Sequence, residues 1–299
     1  MRGEFQQTLN GDCLGHGLKL GPHALPAKDL LHALVSLCDT INGSHWLIER
    51  PTMARRCMMS TDCEPAASRA RGAPFAHVTT WIFDLDNTLY PAECNLFAQV
   101  DQKMGEFVSA MLDIPFEEAR YLQKHYYRKF GTTLNGLMSV HKLDPRPFLD
   151  YVHDIDLELV PESPKLSAAI GQLPGRKLIF TNGTVHHAER VARKLGVLHH
   201  FEGIYDIVAS DYVPKPRPEP YDRFLALHGV DPKAAAMFED MPHNLEVPHA
   251  LGMATVLVKS VHFDHPVQHE IARWERSPAH IHHMTDDLTG FLGRVPGRQ

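Results

Sequence analysis

The chain has 299 residues, 43% of them hydrophobic and 22% charged. This length and composition allow a packed core, with room for one domain and an inserted or appended piece, and they exclude wholesale disorder. The net charge of −6, from 30 basic and 36 acidic residues, gives no support to a nucleic-acid-binding protein held by a basic field.

Neither a membrane span nor a secretion signal is expected. The longest apolar stretch near the N-terminus, Leu30 to Leu37, is short, and Glu4 lies where a signal peptide would be positively charged. The five cysteines form no CxxC pair, which favours reduced thiols in a cytoplasmic protein. Three adjacent histidine pairs lack zinc-type spacing and are expected to be mostly solvated: residues 186–187, 199–200 and 282–283.

Residues 1–77 are predicted to form a poorly ordered N-terminal extension. They contain one plausible amphipathic helix, Ala27 to Leu37, and then a basic segment, Pro51 to Pro74, with almost no hydrophobic periodicity. Such a segment buries too little apolar surface to offset the entropy of ordering it. Two interpretations stay open: a basic tether or targeting arm, and a flexible leader or misplaced start upstream of an internal methionine.

An α/β core is predicted over residues 78–91 and 161–259. Val78 to Phe83 is a β-branched and aromatic run, which is typical of a buried strand. Strands and helices then alternate after residue 160, with strands expected at 177–180, 204–209, 236–238 and 255–258. This alternation predicts a parallel sheet that is covered by helices on both faces. Residues 260–299 have weak apolar spacing and are expected to form a peripheral C-terminal tail.

Residues 92–160 separate the first strand from the others and are predicted to be helical. Apolar residues recur at helical spacing from Asn95 to Leu112 and from Phe116 to Phe130, and a further helix is expected around Pro147 to Val152. No strand pattern interrupts them. The segment is therefore predicted to be a small helical layer inserted after the first strand of the α/β domain.

Polar residues follow each predicted strand, where ligands bind in open α/β sheets. In chain order they are Asp84, Asp86 and Thr88, then Thr181, Asn182 and Gly183, then Lys215, and last Glu239 and Asp240. Each set alone is compatible with a turn or a helix cap. Together, four carboxylates at one edge would repel one another unless a cation lay among them. Oxygen ligands near a single lysine favour Mg²⁺ that shares its coordination shell with a phosphate.

A bound phosphate would give these residue types a common task. A carboxylate at a strand end can attack phosphorus, and a second carboxylate two residues later can protonate the leaving oxygen and then deprotonate water. A threonine hydroxyl, turn amides at Asn182 and Gly183, and the ammonium of Lys215 can neutralise the phosphate oxygens. Glu239 and Asp240 would hold the metal. The pattern therefore favours phosphoryl transfer.

The ordered set Asp84-x-Asp86-x-Thr88, Thr181, Lys215 and Glu239-Asp240 resembles the four signature motifs of the haloacid dehalogenase superfamily. The resemblance covers residues 81–258. It implies a Rossmann-like parallel-sheet α/β core with an inserted helical cap, here residues 92–160, and Mg²⁺ as cofactor. It also implies Asp84 as nucleophile and Asp86 as general acid/base, with the backbone carbonyl of Asp86 offered to the metal beside Asp84, Glu239 and Asp240.

A narrower resemblance is to the pyrimidine 5′-nucleotidase subfamily. It rests on the core motifs and on the cap segment from Tyr127 to Met138, and it implies a nucleoside monophosphate as substrate. Aromatic faces in this segment could stack on a base, while Arg128 and Asn135 could contact the sugar or phosphate. The alternative, that these residues pack within the cap or are solvated, stays open.

Other activities on the same scaffold stay open at this point. They are a phosphatase or phosphomutase for a sugar phosphate or phosphoglycolate, and a phosphoacceptor-type signalling module. A dehalogenase is disfavoured because attack on carbon needs no acid/base at Asp86. A receiver-type module is disfavoured because it would not carry a helical cap after its first strand. The oligomeric state is not predicted.

Overall fold

The structure is a computed structural model, and it describes residues 75–260 and 266–295. Its strands are β1 (Thr80–Phe83), β2 (Arg176–Phe180), β3 (Gly203–Tyr205), β4 (Ala235–Glu239), β5 (Ala254–Val258) and β6 (His283–Thr285). They form one six-stranded sheet in the order β3-β2-β1-β4-β5-β6, and every neighbouring pair is parallel. The α/β fold with a parallel sheet, predicted from the strand and helix patterns, is confirmed.

The central strand β1 positions the edge of the sheet where the order of strands reverses. Its four residues are all buried, as expected for an apolar strand that pairs on both sides. Phe83 at its end is in register with Phe238 of β4, and their rings stack with centroids 4.7 Å apart. Because the two strands end level with each other, the residues that follow them emerge side by side at the crevice where such sheets bind ligands.

A helical segment follows β1, as predicted. Its helices are α1 (Leu96–Leu112), α2 (Phe116–Phe130), α3 (Thr133–His141) and α4 (Pro145–Val152). Helix α3 was not predicted as a separate element. It begins where the side chain of Thr132 accepts a hydrogen bond from the Asn135 amide at 3.1 Å. A Cβ at Gly136 would overlap the side chain of Tyr126, so glycine is what allows α3 to pack this closely on α2.

The helices of the core alternate with the strands after β1. They are α5 (Pro164–Gln172), α6 (Val185–Lys194), α7 (Pro218–His228), α8 (Glu246–Leu251), α9 (Pro266–Ile271) and α10 (Leu288–Gly293). Apolar residues of β1, β2, β4 and α7, among them Ile82, Phe180, Met237 and Phe224, form a continuous buried cluster. This packing holds the strand ends rigidly with respect to one another.

The prediction of a peripheral C-terminal tail is wrong for residues 283–293. β6 extends the sheet beside β5, and Leu292 of α10 is 1% exposed. The ring of Phe291 lies edge-on to Phe238 with centroids 6.1 Å apart. The strand is only three residues long and has no β-branched apolar run, so its backbone pairing with β5 defines it rather than its side-chain pattern.

The described residues can be compared with the expectations about membrane-spanning helices and cysteines. Within 75–260 and 266–295, no helix combines the length and apolar character needed to cross a bilayer. In the same ranges Cys94 is a free, half-buried thiol, whereas the other four cysteines lie outside them. Almost all of the predicted N-terminal extension, residues 1–74, also lies outside the described residues.

Candidate active site

A buried ion cluster lies at the ends of β1 and β4. Lys215 Nζ is 2.7 Å from Asp84 Oδ1 and 2.6 Å from Glu239 Oε1. It also donates to the carbonyl oxygen of Phe180 at 2.8 Å. The exposed fractions of Lys215, Asp84 and Glu239 are 2%, 7% and 0%. Three residues that the sequence analysis placed at separate strand ends thus meet in one hydrogen-bonded group.

The loop that carries Lys215 is bound to the loop after β2. Asn182 Oδ1 accepts from the Lys215 amide at 2.9 Å, and Asn182 Nδ2 donates to the Lys215 carbonyl at 3.3 Å. Asn182 therefore positions Lys215 through its side chain. Among the residues described, no hydrogen bond from the Asn182 amide is found, so this amide is a free donor for a ligand oxygen.

The cluster holds more negative than positive charge. Asp240, directly after β4, is 9% exposed and joins Asp84 and Glu239. Burial, followed by the charges of Glu239 and Asp84, raises the pKa of Asp240 well above its ordinary value. Burial likewise raises the pKa of Asp84, against the opposing effect of Lys215. Burial acting alone would lower the pKa of Lys215, but the two carboxylates it contacts raise it, so its ammonium stays charged.

Asp84, Glu239 and Asp240 fit a divalent cation. One carboxylate oxygen from each lies within 4.8 Å of the other two. Three buried carboxylates beside one ammonium leave uncompensated negative charge, and a set of oxygen donors suits Mg²⁺. Glu239 is held in place because Oε1 accepts from Asn244 Nδ2 at 2.8 Å and Oε2 from the Met241 amide at 3.0 Å.

The two predicted threonines differ in what they contact. Thr88 Oγ1 is 3.4 Å from Asp84 Oδ2, and Thr88 is 2% exposed. Thr181 Oγ1 accepts from the Gly183 amide at 2.9 Å. The Gly183 amide, expected to contact a phosphate, would therefore have to give up this bond to do so. The Thr181 hydroxyl shapes the turn after β2.

Asp86 is bound by two residues that the sequence analysis did not assign to the site. Its Oδ1 lies 2.6 Å from the Tyr90 hydroxyl and 2.9 Å from His187 Nε2. Burial acting alone would raise the pKa of Asp86, but His187 and Tyr90 lower it below its usual value. Burial and the Asp86 carboxylate also raise the pKa of Tyr90 well above its ordinary value, so its hydroxyl remains a hydrogen-bond donor.

The prediction that the histidine pairs are mostly solvated is wrong for His187, which is 1% exposed. Thr184 caps α6 by accepting a hydrogen bond from the His187 amide at 3.2 Å, which places His187 in the first turn of the helix. The signal available in the sequence was this capping threonine directly after the Thr181-Asn182-Gly183 turn. His186, its neighbour, is exposed.

A second histidine connects the end of the cap segment to His187. His153, directly after α4, stacks on His187 with ring centroids 4.5 Å apart. Arg190 binds the linker after α4, residues 153–155, by donating to the carbonyl oxygens of His153 at 2.9 Å and Ile155 at 3.0 Å. Burial, with a contribution from His187, lowers the pKa of His153 to about 3, so the ring is neutral at physiological pH.

The cap residues singled out in the sequence differ in their surroundings. Asn135 Nδ2 donates to the carbonyl oxygen of Phe130 at 3.2 Å, so its side chain closes the turn between α2 and α3. Arg128 is exposed on α2. Tyr127, beside it, is 38% exposed, and burial followed by the charges of Asp240 and Glu239 raises its pKa to about 12. The charges of these core carboxylates thus contribute to the raised pKa of Tyr127.

Comparison with known proteins agrees with this arrangement. A family model described as haloacid dehalogenase-like hydrolase matches residues 78–252. Phosphate metabolism protein 8 from Saccharomyces cerevisiae is 27% identical over 194 residues, which cover 59% of this chain and 60% of that protein. The match thus spans less than two thirds of the length of this relative.

Solved structures with a similar fold include a HAD phosphatase from Thermococcus onnurineus, with a TM-score of 0.50 and 16% identity over 74% of this chain and 99% of that one. An L-2-haloacid dehalogenase from Xanthobacter autotrophicus with covalently bound chloropropionic acid has a TM-score of 0.48 and 14% identity over 74% of this chain and 100% of that one. The Thermococcus similarity bears on the fold alone. Since the family model covers more than half of the chain, the protein belongs to the haloacid dehalogenase-like hydrolases.

Proposed function

We propose that this hydrolase acts on phosphate monoesters through an aspartyl-phosphate formed on Asp84, with Mg²⁺ as cofactor. The observation that carries the proposal is the buried cluster of Asp84, Lys215, Glu239 and Asp240, with a second carboxylate, Asp86, two residues from the nucleophile. A site that is negatively charged overall is suited to a divalent cation together with a phosphate dianion.

The residues of the chain divide the work of the reaction. Asp84 attacks phosphorus while Asp86 protonates the leaving oxygen, and Asp86 then takes a proton from the water that hydrolyses the aspartyl-phosphate. Lys215 and the Asn182 amide stabilise the charge on the phosphate oxygens. Asp84, Asp240 and Glu239, with the Asp86 carbonyl, would hold Mg²⁺, which when bound neutralises charge between nucleophile and phosphate.

Pyrimidine nucleoside 5′-monophosphates are the proposed substrates. The resemblance of the core motifs and of the segment from Tyr127 to Met138 to the pyrimidine 5′-nucleotidases supports this choice. The half-exposed ring of Tyr127 lies close enough to the core carboxylates for them to raise its pKa, and such a ring can stack on a base. The exposed guanidinium of Arg128 can bind a sugar or phosphate oxygen. The name of the yeast relative refers to phosphate metabolism.

The test is a substrate panel with the purified full-length chain and MgCl₂. It contains uridine, cytidine, adenosine and guanosine 5′-monophosphates, ribose 5-phosphate, phosphoglycolate and p-nitrophenyl phosphate. We expect kcat/KM for the two pyrimidine nucleotides to exceed that for the other natural esters by about 10-fold or more. Preference for ribose 5-phosphate or phosphoglycolate would replace the nucleotide assignment, and isomerisation without phosphate release would indicate a phosphomutase. Hydrolysis of none of these esters would reject the phosphatase proposal.

A further inference from the structure

The two carboxylate oxygens of Asp86 differ in their hydrogen bonds to the surrounding residues. Tyr90 and His187 both bind Oδ1, at 2.6 Å and 2.9 Å. No hydrogen bond to Oδ2 is found among the residues that the structure describes. The side chain of Asp86 is 18% exposed, so the carboxylate is open to the crevice on one side.

The hydrogen-bond inventory indicates the direction of these bonds. Oδ1 is an acceptor both in the ionised carboxylate and in the acid that is protonated on Oδ2, so the Tyr90 hydroxyl and His187 Nε2–H donate to it in either form. His187 Nδ1 is buried and has no partner among the described residues. Nε2 must carry a proton in order to donate to Oδ1, whereas a proton on Nδ1 would find no acceptor among the described residues. This supports the tautomer with the proton on Nε2.

Further contacts keep His187 in this position. Its backbone is fixed in the first turn of α6 by the Thr184 cap, and its ring is covered by the parallel ring of His153, 15° from coplanar. Tyr90 is equally constrained, with 1% of its surface exposed. Both donors are therefore rigid, and the orientation they impose on Asp86 does not depend on a bound substrate.

We propose that Tyr90 and His187 are positioning residues that hold Asp86 Oδ1 as a permanent acceptor and leave Oδ2 as the oxygen that exchanges the catalytic proton. The inference rests on the proposed function. In the first step the Oδ2–H bond breaks and its proton goes to the leaving oxygen, as the bond from that oxygen to phosphorus breaks and the bond from Asp84 to phosphorus forms. In the second step the water oxygen forms a bond to phosphorus while its proton goes to Oδ2, and the bond from Asp84 to phosphorus breaks, which releases phosphate and restores the Asp84 carboxylate.

The experiment measures kcat/KM for substituted phenyl phosphates whose leaving groups differ in pKa. This parameter reports steps up to formation of the aspartyl-phosphate, and a poor leaving group needs the acid whereas p-nitrophenolate does not. His187→Leu removes the hydrogen-bond donor, while the leucine side chain still fills most of the volume of the buried imidazole. We expect about a 3-fold loss for p-nitrophenyl phosphate and about a 30-fold or larger loss for phenyl phosphate, because general acid catalysis contributes roughly 10²–10⁴.

Three further variants separate positioning from structure. His187→Gln retains a donor at a similar reach and should recover most of the wild-type leaving-group dependence. His186→Leu, at the exposed neighbouring histidine, should leave the dependence unchanged. Tyr90→Phe removes the other donor at almost constant volume. It should make kcat/KM depend more steeply on the pKa of the leaving group, as His187→Leu should, and it therefore tests the proposal even if His187→Leu does not fold.

The outcomes separate the two proposals. If the wild-type enzyme hydrolyses the esters and both His187→Leu and Tyr90→Phe lower kcat/KM uniformly across the series, or leave it unchanged, the positioning role is wrong and the phosphatase assignment stands. If the wild-type enzyme hydrolyses no ester in the series, the proposed function itself fails, and the role of Oδ2 fails with it.

Discussion

At the carboxyl edge of the sheet, Lys215 and Glu239 are buried, and their polar atoms form hydrogen bonds with each other and with neighbouring groups. On α2, by contrast, Arg128 is exposed and forms no hydrogen bond or ion pair with the described residues, and Tyr127 is only half-buried. Preorganised charges suit chemistry that is the same for every phosphate ester. Side chains with few fixed contacts suit recognition of a variable leaving group. The contrast supports the proposal that the edge carries the chemistry and that α2 selects the substrate.

Replacing the nucleophile should have the largest effect. Asp84→Asn removes the attacking charge at constant shape, and we expect kcat to fall about 10³-fold or more for every ester tested. The amide still fits beside Lys215, which keeps its bond to Glu239, so the Tm should change little. Asp150→Asn, at an exposed aspartate of α4, is the matched control and should retain full activity. Near-native turnover of Asp84→Asn would exclude the aspartyl-phosphate.

Removal of the metal should lower the activity almost as strongly as replacement of Asp84. We expect EDTA to lower activity by about 100-fold or more, and excess Mg²⁺ to restore it, because the single ammonium of Lys215 does not balance the three carboxylates of Asp84, Glu239 and Asp240. Ca²⁺ should not restore activity, since its larger and looser shell misplaces the reacting groups. Full activity in a chelated sample would contradict the metal assignment.

Changes in the cap should be smaller and selective. Tyr127→Ala and Arg128→Ala should lower kcat/KM for uridine 5′-monophosphate by about 10-fold, but that for p-nitrophenyl phosphate by less than about 3-fold. Tyr121→Ala, at an exposed tyrosine on the same helix, is the control. Equal losses for both substrates would show that these residues contribute to the chemical step or to folding and not to recognition of the nucleotide. If activity on neither substrate falls, the cap segment no longer supports a nucleotide as substrate.

Asn135 should behave differently from Arg128. Because its side chain bonds to the Phe130 carbonyl, Asn135→Ala is expected to cost about 1 kcal/mol of stability and to lower activity on both substrates together. Chemical unfolding and the two-substrate assay measure these effects. A selective loss for the nucleotide at unchanged stability would instead show that Asn135 contacts substrate.

His153, in the linker after α4, should make the stability of the folded protein depend on pH. The pKa of His153 is lowered to about 3 in the folded protein, against about 6.5 when unfolded. The stabilisation is therefore fully present above pH 6.5 and is lost as the pH falls toward 3. Between pH 7 and pH 5 the wild-type protein should lose about 2 kcal/mol more unfolding free energy than His153→Gln, as measured by urea unfolding. Identical pH dependence in the two proteins would contradict this.

The sequence by itself determined the sheet core and the edge of the sheet at which the polar residues after the strands meet. Val78 to Phe83 indicates a buried strand because its β-branched and aromatic residues favour the β conformation and its length suits a strand. The polar residues after each strand then lie at one edge of a parallel sheet. Helices α1 and α2 were equally predictable, since their apolar stripes and stop signals lie within the segments themselves. Local pattern and tertiary structure agree at these places.

Tertiary structure alone decided the rest. The short strand β6 is formed by backbone pairing with β5, and its side-chain pattern does not predict a strand. The partnership of Asp86 with His187 joins residues 101 positions apart, and both the burial of His187 and its bond to Oδ1 follow from how α6 packs against the loop after β1. Sequence spacing reports which face of an element a residue occupies, but the distance between two elements depends on packing across the whole core.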